Sequence, residues 1–163
     1  MPEMSYAEFV ASLSNPNMDP MEHACIGMLG ELGELVDIFK RKVAYNKPLN
    51  REHLLEELGD FRFYLRMACN KVSKSGVSYY SGSFSTFDLL FKIAKCIAKF
   101  RRKPTAKNLD KIVFHYTCLE FNYHFTKEQV IEANMAKLKL RYPSGKYSDE
   151  QALARADKAN DAV

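Results

Sequence analysis

Helix-start signals recur along this chain at regular intervals, and nothing else constrains its fold as tightly. Ser5-x-x-Glu8 has the form of a capping box, and Asp19-Pro20-Met21-Glu22 combines an N-cap, a proline at the first helical position and an early acid. Asn50 precedes Arg51-Glu52-His53-Leu54-Leu55, Ser85 stands three before Asp88, Thr105 three before Asn108 and Thr126 three before Gln129. In each, a short polar side chain can accept from the amides a new helix leaves unpaired, and an apolar-periodic run follows. The expected helices run over about 5–13, 20–44, 51–73, 86–102, 106–124 and 127–141, and no strand-like alternation competes with them. The expectation is an all-α fold.

With 163 residues, 47% hydrophobic and 27% charged, the chain has the size and composition of one folded domain. No stretch reaches membrane-spanning length. Met1-Pro2-Glu3-Met4-Ser5 shows no basic segment followed by an apolar run, so neither a secretory signal nor a transit peptide is expected, and the default location is cytoplasmic. Cys25, Cys69, Cys96 and Cys118 each sit in an apolar-periodic segment without Cys-x-x-Cys spacing, which reads as reduced core cysteine. The segment Ser73–Ser85 is rich in serine and glycine and long for a helix connection, and its Tyr79-Tyr80 pair could dock on the body. From Asp149 the tail can form a short polar helix.

Two short acidic repeats carry the chemistry. Glu31-Leu32-Gly33-Glu34 and Glu57-Leu58-Gly59-Asp60 each place two carboxylates three apart, on one face of a helix. If the two helices pack side by side, four carboxylates converge, which is tolerable near neutral pH only with solvent, raised pKa values or bound cations. A hard divalent metal suits such an oxygen cluster. The plain alternative is that these acids are solvated and pair with Lys40, Arg41, Arg62 or Arg66. Glycines at 27, 30 and 33 cost about 1 kcal/mol each relative to alanine inside a helix, so either a neighbouring helix comes close or a ligand lies against them. A di-iron bundle would need Glu-x-x-His motifs. The residues three before His23, His53, His115 and His124 are Pro20, Asn50, Ile112 and Phe121, so that site is excluded, and the histidines read as packing or surface residues.

Three motifs in order then resemble a known family. Gly30-Glu31-Leu32-Gly33-Glu34-Leu35-Val36-Asp37, Glu56-Glu57-Leu58-Gly59-Asp60 and Asn134-x-x-Lys137-Leu138-x-x-Arg141-Tyr142-Pro143 are similar to the MazG-like members of the all-α nucleoside triphosphate pyrophosphohydrolases. The resemblance spans roughly 20–160 and lacks any motif between Ser73 and Phe125. It implies a single domain over 1–163 with a four-helix-bundle core at about 19–141, added short helices and a tail over 142–163. The implied activity is magnesium-dependent cleavage of a nucleoside triphosphate to monophosphate and pyrophosphate, with manganese able to substitute, in a homodimer or homotetramer. By position, Glu31, Glu34, Glu57 and Asp60 resemble the metal ligands. Glu34 is the candidate base, and Asn134, Lys137, Lys40, Arg141 and Tyr142 are the candidate substrate contacts.

Lys137 and Arg141, four apart, share a face as a phosphate clamp requires, although a solvated basic face reads the same. A deoxynucleotide such as dCTP or dGTP is the expected substrate, in nucleotide-pool control, with dUTP cleavage by a relative of the same superfamily as the nearest alternative. Neither membrane nor nucleic acid is an expected partner. The competing class is a helical nucleic-acid- or partner-binding module, motivated by the net charge of +4 and the aromatic-rich middle region. Phe84, Phe87, Phe91, Phe100, Phe114, Tyr116, Phe121 and Tyr123 are expected to pack the fourth and fifth helices.

Overall fold

In a computed structural model that describes residues 4–74 and 78–155, each of the six N-cap signals starts a helix. These are α1 (Tyr6–Ser12), α2 (Pro20–Ala44), α3 (Arg51–Lys71), α4 (Thr86–Arg102), α5 (Ala106–Asn122) and α6 (Lys127–Arg141), followed by a short α7 (Asp149–Ala154). The described residues contain no strand. Ser5 and Thr126 close full capping boxes with Glu8 and Gln129, and Asp19 accepts from the amides of Met21 and Glu22. The ends come out two residues shorter than expected for both α3 and α5, where Val72 and Tyr123 leave helical geometry.

Helix α3 is the hub. It packs against α1, α2, α5 and α6, while α4 closes onto α2 and α5. Leu54, Leu58, Phe61, Leu65 and Cys69 are buried along it, as are Met28, Leu32, Leu35 and Phe39 of α2. Each such side chain contributes about 1.5–3 kcal/mol relative to exposure, so packing rather than propensity holds the helices in place. The middle of such a hub buries charge as well as apolar surface. Arg62 is 1% exposed and donates from Nε and Nη2 to Glu120 of α5 at 3.0 and 2.5 Å, under Tyr116, whose hydroxyl donates to the Leu58 carbonyl at 2.7 Å.

The aromatic residues divide. Phe100 and Tyr116 are buried as expected, whereas Phe84, Phe87, Phe91 and Phe121 keep much of their surface exposed. Phe87 and Phe91 join Val36 and Val43 along an apolar groove between α2 and α4. Tyr79 and Tyr80 do dock: the Tyr79 hydroxyl donates to the Phe125 carbonyl, and the Tyr80 amide donates to Thr117 Oγ1. Residues 75–77 of that connection, the first three residues and 156–163 of the tail lie outside the described residues. All four cysteines are free, with Cys25, Cys69 and Cys118 buried. No described helix is long and apolar enough to cross a membrane.

Candidate metal centre

The α2–α3 contact brings the two acidic repeats together. One carboxylate oxygen each from Glu31, Glu57 and Asp60 lies within 4.8 Å of the others. Glu57 is 5% exposed, and Glu31 and Asp60 are partly buried. Burial, then the charge of Asp60 and a hydrogen bond with Glu57, push the Glu31 carboxyl up to about 8, against the pull of Lys137. Crowded acids in a half-dry site hold a proton where they lack a cation.

Glu34 lies outside this triad. Three residues advance about 4.5 Å along a helix, and Glu34 comes out on an exposed stretch of α2, still lining the same cleft. The structure therefore splits the four expected ligands into a cluster of three and a neighbour.

Helix α6 supplies the positive side. Lys137 Nζ donates to Glu56 at 2.6 Å and to Asp60 Oδ2, bridging two acids of α3. Burial works against its ammonium, but Asp60 and Glu56 outweigh that and hold Lys137 above its usual value. The cations that could have neutralised the acidic repeats are engaged elsewhere: Lys40 and Arg41 pair with Asp37, and Arg62 with Glu120. Lys40 borders the apolar groove and stands apart from the cleft.

Asn134 is turned inward. It is 1% exposed, its Nδ2 donates to Asp60 Oδ1 at 3.0 Å, and its Oδ1 accepts from the Tyr6 hydroxyl at 2.9 Å. Gly59 makes the contact possible, because a Cβ there would come within 3.0 Å of Asn134 Cβ. So α6 grips Asp60 through both oxygens, one neutral donor and one charged.

The cleft has a volume of about 640 Å³. Glu31, Glu34, Glu57, Asp60 and His53 line it together with Lys137 and Arg141, and His23, Tyr64, Tyr142 and Tyr147 supply a more aromatic portion. Tyr64 lies flat against α2 at Gly27, whose absent side chain leaves the space: a Cβ there would stand 2.2 Å from the ring. Gly30 meets nothing within 4 Å and leaves the cleft wall open beside Glu31. Close approach of a neighbouring helix therefore explains Gly27, while Gly30 and Gly33 face open space.

Two of the histidines expected as packing or surface residues line the cleft, His23 partly buried and His53 exposed. His53 Nε2 lies 3.1 Å from Glu57 Oε1, one helical turn away, and His23 meets the Tyr64 ring edge-on with centroids 5.4 Å apart. The spacing His53-x-x-x-Glu57 was the available signal. Tyr6 carried no such signal, being 128 residues from its partner.

The donor set fits a hard cation. It consists of carboxylate oxygens close enough to share an ion, and Glu31 among them is raised first by burial and then by the charge of Asp60. No family model matches this sequence, and no curated protein or solved structure matches it.

Proposed function

We propose that the chain is a divalent-metal-dependent nucleoside triphosphate pyrophosphohydrolase, cleaving a (d)NTP between its α- and β-phosphates to a monophosphate and pyrophosphate. The observation that carries the reading is the Glu31, Glu57 and Asp60 cluster in one cleft with Lys137 and Arg141. An acidic cluster can hold a metal, and one facing cations suits a metal shared with a polyanion. The three motifs similar to MazG-like proteins supply the reaction class, and with it the four-helix-bundle type and magnesium as the ion.

Glu31, Glu57 and Asp60 would hold the metal, with Glu34 close enough in the cleft to join them or to act as base. Bound magnesium would screen the triphosphate, polarise the α-phosphorus and make a water more acidic. The chain's residues do the rest. Glu34 takes the proton from the water as its oxygen bonds to the α-phosphorus, and the bond from that phosphorus to the bridging oxygen breaks. Lys137 and Arg141 neutralise the charge gathering on the departing pyrophosphate. The Tyr64 ring, with His23 edge-on beside it, gives the cleft an aromatic wall that suits a planar base.

A dNTP such as dCTP or dGTP remains the preferred substrate, with dUTP the nearest alternative; base choice depends on hydrogen bonds in the aromatic portion of the cleft. Homodimer or homotetramer assembly would cover the apolar groove at Val36, Val43, Phe87 and Phe91. A panel of dNTPs and NTPs with magnesium tests the proposal. Pyrophosphate release from at least one is expected, and orthophosphate without pyrophosphate would mark a different hydrolase.

A further inference from the structure

One residue far from the acidic repeats touches their chemistry through a single intermediary. We propose, resting on the metal-site reading above, that Tyr6 is a positioning residue that fixes the Asp60 carboxylate by orienting the side-chain amide of Asn134.

What each group can donate fixes the arrangement. A carboxylate accepts only, so Asp60 Oδ1 requires the NH₂ end of Asn134 to face it. The amide has a second orientation of nearly the same shape, turned by half a revolution, in which its oxygen would oppose the Asp60 oxygen. Tyr6 decides between them. Its hydroxyl has one proton to give, and giving it to Asn134 Oδ1 at 2.9 Å holds the amide oxygen away from Asp60. Burial pushes the Tyr6 hydroxyl up from its usual value, so it stays protonated and remains a donor.

The surroundings leave the amide little else to do. Asn134 is almost fully buried, so solvent does not compensate a wrong orientation, and Gly59 lets its Cβ approach the α3 backbone closely. Tyr6 is itself held in place, since α1 begins at this residue and Ser5 and Glu8 cap it reciprocally. The two donors on Asp60 differ in kind. Lys137 brings a charge that competes with a cation for the carboxylate, whereas the Asn134 amide is neutral and orients the group while leaving its charge available.

Manganese binding, measured by calorimetry on the full chain, tests the proposal on four proteins: wild type, Tyr6→Phe, Asn134→Leu and the double variant. Tyr6→Phe keeps the ring and removes only the hydroxyl. It is expected to weaken manganese affinity about 10-fold with unchanged helicity, the lower end of what losing a group that orients a metal ligand costs. On the Asn134→Leu background the same change is expected to cost less than about two-fold, because Tyr6 acts through Asn134. Equal affinity for Tyr6→Phe, or full additivity in the double variant, would overturn the assignment. A wild type that binds no manganese would instead bring down the metal reading beneath it. If Asn134→Leu does not fold, nitrogen-15 spectra of Tyr6→Phe decide the point: the Asn134 side-chain amide pair should shift or broaden, and an unchanged pair would overturn the proposal.

Discussion

Lys137 of α6 donates to Asp60 of α3, so the cation nearest the acidic cluster is bound to a member of it. The same ammonium reaches Glu56 at 2.6 Å and is the built-in counter-charge of the site. Under the proposed function, a metal taking Asp60 would compete with it, and a bound triphosphate would give it a new partner.

Lys137→Met should therefore separate metal binding from catalysis. Without the ammonium, Glu56 and Asp60 lose a partner while staying partly buried, and the metal-free protein should lose about 1–3 kcal/mol in urea denaturation. Manganese should bind several-fold tighter than to wild type, since its competitor is gone, and turnover should fall. Tighter metal binding with undiminished turnover would argue that Lys137 touches no phosphate.

Glu31 sets a pH dependence with a definite sign. Its folded value of about 8 exceeds the ordinary 4.5, so the native state holds a proton that the unfolded state releases across that window. Metal-free stability should be fully retained below about pH 4.5 as far as this group is concerned, and fall as pH rises toward 8. Thermal scans with a chelator should show Glu31→Gln losing less stability than wild type between pH 5 and pH 8.5. Saturating magnesium should remove most of the wild-type decline, because the ion binds the ionised form.

The buried Arg62–Glu120 pair predicts a stability effect that leaves the reacting groups in place. Glu120 is fully buried and Arg62 nearly so, and removing one partner strands the other's charge in the hub of the fold. Glu120→Ala should cost about 3–5 kcal/mol in denaturant unfolding. Any protein that remains folded should bind manganese within about two-fold of wild type, since Glu120 lies outside the acidic cluster.

The glycines of α2 should respond in opposite ways. Gly27→Ala drives a methyl into the Tyr64 ring and should destabilise by about 1–3 kcal/mol, displacing a cleft wall as it does so. Gly30→Ala meets open space and should stabilise the helix by up to about 1 kcal/mol, while its methyl narrows the cleft and raises KM. Urea midpoints and KM for the two variants check this directly.

The helices were legible because their starts depend on local chemistry: Ser5, Asp19, Asn50, Ser85, Thr105 and Thr126 each cap within three residues. The convergence of Glu31, Glu57 and Asp60 was legible for a similar reason, since helical spacing chooses a face and adjacent helices pack. What decides Glu34 is the rotation of α2 against α3, which no spacing encodes. Asn134 read as a substrate contact, and only the closeness of Gly59 and the arrival of Tyr6 from the other end of the chain turn it inward. Arg62 read as a surface partner for the acidic repeats, because its burial depends on α3 being surrounded by four other helices.

Pyrophosphate release decides whether the acidic cleft hydrolyses triphosphates. Wild type, Glu57→Gln and Asp60→Asn should be incubated with single dNTPs and NTPs, with and without magnesium, and the products separated. Monophosphate and pyrophosphate are expected in equal amounts from at least one triphosphate, only with the metal present, with a loss of at least about 100-fold in both variants. Turnover that persists with chelator, or that survives both substitutions, would contradict it.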